Sequence, residues 1–98
     1  MNRYFTETRE TLRRLKPELR RRFHVADIGL FGSIVRDDFS PQKSDVDVLV
    51  TFSQPVGMEF LDLAETLEKA FARKTDLVSR NGIRPPYLAQ IEKEVVYV

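Results

Sequence analysis

The positions Phe5, Thr8, Leu12 and Leu15 recur at intervals of three and four, the spacing of a helix with one buried stripe. Pro17 interrupts that stripe and predicts a second, short helix from Pro17 to about Phe23. At the first position of such a helix its missing N–H costs nothing, and Leu19 and Phe23 continue an apolar face. Beyond it the period changes. Val25 to Phe31 is a short apolar run bounded by turn residues and reads as a strand. Ser33 to about Asp38 reads as one helical turn opened by Gly-Ser, with the serine as a good N-cap, and residues 40 to 44 read as a loop by composition. Asp45 to Phe52 alternates, with Val46, Val48, Val50 and Phe52 on one face and Asp45 and Asp47 together on the other.

Phe60, Ala64, Leu67 and Phe71 mark the clearest amphipathic helix, and Lys74 to Val78 follows as a third strand with Asp76 and Val78 on one face. Asn81-Gly82 is a turn, and Pro85-Pro86 opens a last helix through Tyr87, Leu88 and Ile91. Val95 to Val98 has high strand propensity and is expected either to extend the sheet or to lie against a partner. The expected fold is α/β (α+β), a small mixed β-sheet flanked by helices, in a single domain over residues 1–98.

Composition narrows the classes. With 42% hydrophobic and 32% charged residues the chain reads as a globular protein, and no apolar run approaches the roughly 20 residues of a membrane span. The N-terminus lacks the apolar stretch of a signal peptide, and cysteine is absent, so the expected location is the cytoplasm. The missing thiol also excludes disulfides, thiolate nucleophiles and cysteine-ligated zinc. A net charge of +1 conceals an asymmetry: residues 1–24 hold eight Lys/Arg against three Glu, and the remainder holds eight against twelve acids. The basic residues read as a solvated helix surface, with attraction of an acidic partner as the alternative. Acid excess in the rest of the chain argues against nucleic acid as the main partner. His24, the only histidine, is offered no catalytic role.

Asp45 and Asp47 share a face, and like charges side by side call for a cation. If the third strand lies beside the second, Asp76 approaches the same face. Three carboxylates and phosphate oxygens are the hard ligands Mg²⁺ prefers, and two such ions about 4 Å apart suit in-line phosphoryl displacement. Asp45 and Asp47 would hold the metals, and Asp76 would complete one metal site and help to take the proton from an attacking hydroxyl. Gly32 lets backbone approach a phosphate, Ser33 offers it an N–H and a hydroxyl, and Arg36 could reach the same anion.

These residues, Leu30 to Ser33, Arg36, Ser44 to Val50 and Thr75 to Val78, resemble the nucleotidyltransferases of the DNA polymerase beta type, and within them the minimal bacterial and archaeal members. The resemblance covers nearly the whole chain. It implies a mixed sheet flanked by helices and Mg²⁺-dependent transfer of a nucleoside monophosphate, commonly AMP from ATP, to a hydroxyl. It also implies that Gly32 and Ser33 contact the triphosphate, with Arg36 and Ser44 as further nucleotide-binding residues, and that Asp45, Asp47 and Asp76 form the metal triad. Many minimal members look like antitoxins paired with an all-helical HEPN partner, which some silence by adenylylating a tyrosine. The expected function is therefore adenylyl transfer to a partner protein in a HEPN/MNT-type toxin-antitoxin pair. The alternatives are a non-catalytic binding antitoxin of the same fold and a small-molecule adenylyltransferase. A homodimer or hetero-oligomer is expected from the exposed apolar C-terminus. Two departures stand out: Val35-Arg36-Asp37 replaces the family's Ala-Arg-Gly, and the eleven residues between Ser33 and Asp45 are one more than the commonest gap of the antitoxin subgroup.

Overall fold

Helix α1 (Arg3–Phe23) lies across the sheet and is capped at its start by Asn2, whose Oδ1 accepts the Phe5 N–H at 2.8 Å. The structure, a computed structural model, describes residues 2–98. Helix α1 is one helix and not two, so Pro17 stands inside it, contrary to the expected break. Proline removes the bond to the carbonyl four residues back, here that of Arg13. Both residues are exposed, so the freed carbonyl faces water, and the buried stripe of Phe5, Thr8, Leu12, Leu19 and Phe23 continues past the break. His24 ends the helix in a left-handed conformation (φ 58°). Along the exposed faces Arg3, Arg13 and Arg22 pair with Glu7, Glu10 and Glu18, as a solvated helix surface would.

The remaining elements are β1 (Val25–Phe31), α2 (Ser33–Arg36), β2 (Val46–Phe52), α3 (Glu59–Phe71), β3 (Thr75–Ser79), α4 (Pro85–Glu92) and β4 (Val96–Tyr97). The sheet order is β3-β2-β1-β4. Strand β1 is antiparallel to both neighbours, whereas β2 and β3 are parallel and joined through α3. The C-terminal residues thus extend the sheet. Asp45 and Lys74 fall just outside the strands predicted to begin with them, although the Val46 N–H still bonds the Lys74 carbonyl at 2.9 Å.

Period-two alternation in β1 and β2 sends Ile28, Leu30, Val46, Val48, Val50 and Phe52 into one core with α1 and with Leu63 and Leu67 of α3. Each such side chain contributes about 1.5–3 kcal/mol by leaving water. All the long helices that build this core take one face, which leaves Asp47 on the face away from it. On β1, Gly29 lets the C-terminal arm close: a Cβ there would stand 2.8 Å from Val95 Cγ2 and 3.0 Å from the Val96 carbonyl. Among the described residues no helix is long and apolar enough to cross a membrane.

Candidate active site

Antiparallel β1 ends where parallel β2 and β3 begin, so one sheet edge collects residues from all three strands. Phe31 pairs with Asp47, and Asp47 pairs with Asp76. Side chains directly opposite on neighbouring strands share a face, so the Asp47 and Asp76 carboxylates stand side by side. Asp45, two residues before Asp47, precedes the strand. Gly32 follows Phe31 and lies directly on Asp47. A Cβ at Gly32 would come within 2.0 Å of Asp47 Oδ2, and its φ of 79° disfavours any other residue as well. Gly32 and not Ser33 caps α2, its carbonyl accepting the N–H groups of Val35 and Arg36 at 3.0 and 3.2 Å.

Like charge dominates this edge. Burial pushes the Asp47 carboxyl up to about 6, helped by the repulsion of Asp76 and Asp45, while Arg36 opposes the rise and Glu94 adds slightly to it. A partly buried carboxylate between two others is a ligand set short of positive charge, and its oxygens are the hard donors a divalent cation takes. Among the described residues no three acidic or histidine side chains converge tightly enough to enclose an ion by themselves. Asp45, Asp47 and Asp76 instead form an open row along the strand ends, with Asp76 exposed.

Sequence reasoning missed Glu94. Its Oε1 accepts the Gly32 N–H at 3.0 Å, and both its carboxylate oxygens lie 3.0 Å from Arg36 Nη1. Arg36 also approaches Asp38 at 3.6 Å, and the hydrogen bond to Glu94, ahead of that residue's charge, raises the guanidinium pKa. In sequence Glu94 is one more acid in the polar stretch Glu92-Lys93-Glu94 that leads out of the last helix. Only the pairing of Gly29 with Tyr97 and Leu30 with Val96 brings it to Gly32.

The loop departures also have a structural account. Asp37 adopts a left-handed backbone (φ 70°), the conformation glycine favours, and its Oδ1 accepts both the backbone N–H and the side-chain amide of Asn2 at 3.2 and 2.8 Å. The longer loop folds on itself. Lys43 and Ser44 donate to the Ser40 carbonyl at 3.1 and 2.8 Å, and Ser44 Oγ accepts the Ser40 N–H at 2.9 Å. The Ser44 Oγ closes this turn as an acceptor and keeps its own O–H to donate. The site itself is an open edge. A concavity of about 500 Å³, lined by Phe52, Pro55, Val56, Ser79 and Gly82 among others, lies at the opposite ends of β2 and β3.

Comparison with known proteins follows the same lines. Residues 12–98 match the nucleotidyltransferase domain family. The protein adenylyltransferase MntA of Thermococcus cleftensis is 42% identical over 84 residues, covering 85% of this chain and 84% of that relative. A solved minimal nucleotidyltransferase shares the fold with a TM-score of 0.76 and 27% identity over 92% of each chain. The fold also recurs, at a TM-score of 0.68 and 21% identity, in the Shewanella oneidensis complex of a tri-AMPylated HEPN toxin with an MNT antitoxin. That match covers 92% of this chain and 70% of the other.

Proposed function

We propose a specific reaction for this chain, which belongs to the nucleotidyltransferase domain family: Mg²⁺-dependent transfer of AMP from ATP to a hydroxyl of a helical HEPN-type partner, as an antitoxin. The observation that carries this reading is the Asp47–Asp76 register beneath Gly32. It sets paired carboxylates against a backbone N–H and an arginine, which is the charge pattern of a metal-bound polyphosphate.

In this reading Asp45, Asp47 and Asp76 hold the metal, with Asp47 the half-buried member whose charge is disfavoured by burial and by its two neighbours. Mg²⁺, when bound, supplies the positive charge that screens the triphosphate and steadies the charge developing in transfer. The Gly32 N–H and Arg36 orient the phosphates. Asp76, exposed at the head of β3, is open to the acceptor and takes the proton of its hydroxyl. The hydroxyl oxygen forms a bond to the α-phosphorus as the bond from that phosphorus to the pyrophosphate oxygen breaks, and pyrophosphate leaves.

The test is incubation with ATP labelled at the α-phosphate, Mg²⁺ and the product of the neighbouring gene. Label on that protein, lost with Asp45→Ala/Asp47→Ala, supports the reaction. Label that never appears, or that persists in the double variant, refutes it. A second reading, inhibition by stoichiometric binding, is favoured by the exposed apolar side chains Met58, Leu61, Tyr87 and Tyr97. It requires the same double variant to keep both the complex and its inhibition.

A further inference from the structure

The two donors assigned above to the phosphates are already bonded to a carboxylate. Glu94 Oε1 accepts from the Gly32 N–H at 3.0 Å and from Arg36 Nη1 at 3.0 Å. A carboxylate and a terminal phosphate present the same chemistry to such donors, anionic oxygens that accept charge-assisted bonds. Gly32, whose N–H this carboxylate accepts, lies against Asp47 Oδ2, so Glu94 stands beside the row of aspartates as well as against Arg36.

We propose that the Glu94 carboxylate is a built-in competitor of the triphosphate, occupying the Gly32 N–H and Arg36 until a nucleotide displaces it, and so sets the affinity for ATP. The proposal rests on the nucleotidyltransferase reading of this site. Displacement needs no movement of the fold. Glu94 precedes the anchored end of the chain, where Val96 and Tyr97 pair with β1, the Val98 N–H bonds the Ile28 carbonyl at 2.9 Å, and Lys16 Nζ bonds the Val98 carbonyl at 2.6 Å. Rotation about the side-chain bonds of Glu94 is enough to release both donors. A bound metal favours the exchange in that direction, because the incoming phosphates bring their own counter-charge to the aspartates and Glu94 brings none.

The competitor acts on phosphates and not on the base, which makes it separable from other roles. Calorimetric titration of wild type, Glu94→Gln and Glu94→Ala with Mg²⁺ should use three probes: a non-hydrolysable ATP analogue, inorganic tripolyphosphate and adenosine. The expected result is about tenfold tighter binding of the analogue and of tripolyphosphate by both variants, a gain of about 1.4 kcal/mol, with no gain for adenosine. In steady-state AMP transfer the effect falls on KM for ATP. Glu94→Gln preserves the size of the side chain and its oxygen toward Gly32, and a melting curve of each variant confirms folding. Equal or weaker polyphosphate binding by folded Glu94→Gln, or a gain shared by adenosine, overturns the proposal. Tighter polyphosphate binding without AMP transfer by any form supports the competitor and refutes the proposed reaction instead.

Discussion

Replacing Asp47 with asparagine should make the metal-free protein more stable while abolishing AMP transfer. Asparagine keeps the shape that lies against Gly32 and removes the charge. Folding raises the Asp47 carboxyl from its ordinary 3.8 to about 6, with burial as the main cause and Asp76 and Asp45 next. Between those values the native state holds a proton that the unfolded chain has released, so stability falls as pH rises through the window. Taken in full, the rise corresponds to about 3 kcal/mol. Asp47 is only partly buried and solvent screens its neighbours, which reduces the expectation to roughly 1–2 kcal/mol.

In a domain of this size that amounts to a melting temperature higher by about 5–10 °C for Asp47→Asn at pH 7.5 in chelator. At pH 4 the wild-type carboxyl is protonated when folded, and the two proteins should melt within about 2 °C of each other. Adding Mg²⁺ at pH 7.5 should raise the wild type and leave the variant behind. Calorimetric scans from pH 4 to 8 with and without metal measure all three comparisons. A variant that melts at or below wild type at pH 7.5 in chelator, or a gain that persists at pH 4, would show that Asp47 is not held against its charge.

Gly32→Ala should abolish transfer and destabilise by about 2–3 kcal/mol in urea titration, since its Cβ collides with Asp47 Oδ2 and its φ is positive. At position 37, Asp37→Ala should cost about 1 kcal/mol more than Asp37→Gly in the same assay, because both lose the Asn2 bonds and only alanine carries the Cβ that the left-handed backbone strains. Pro17→Ala, on the exposed face of α1, restores the hydrogen bond to Arg13 and should raise stability by about 1–3 kcal/mol, read as a shifted denaturation midpoint at constant slope.

Periodicity located the elements well where one face is buried. Strand β1 has the expected bounds, and β2, α3 and β3 begin or end within a residue or so of theirs. Pro17 misled because propensity is local, while the stripe from Phe5 to Phe23 draws its stability from the sheet beneath it. Asp45, Asp47 and Asp76 were legible as candidates because alternation within β2 and the order of elements are written in the sequence. Their mutual placement needed the parallel register of β2 and β3, which is not. Glu94 was illegible for the same reason: its neighbours Gly32 and Arg36 lie 62 and 58 residues away along the chain. The turn in which the Ser44 hydroxyl accepts the Ser40 N–H was likewise not legible, because it depends on how the loop folds back on itself.

The parallel pairing of β2 with β3 also decides where this chain can tolerate a change of length. Residues 72–74 connect α3 to β3, and one residue inserted there would turn Asp76 away from Asp47, because a strand reverses its facing at every step. The loop from Asp37 to Asp45 behaves differently. It is closed by its own hydrogen bonds between Ser40 and Ser44, ahead of the first residue of β2. Engineering that adds tags, linkers or binding segments should therefore enter at the exposed tip, Gln42–Lys43, and the α3–β3 connection should be kept at its present length.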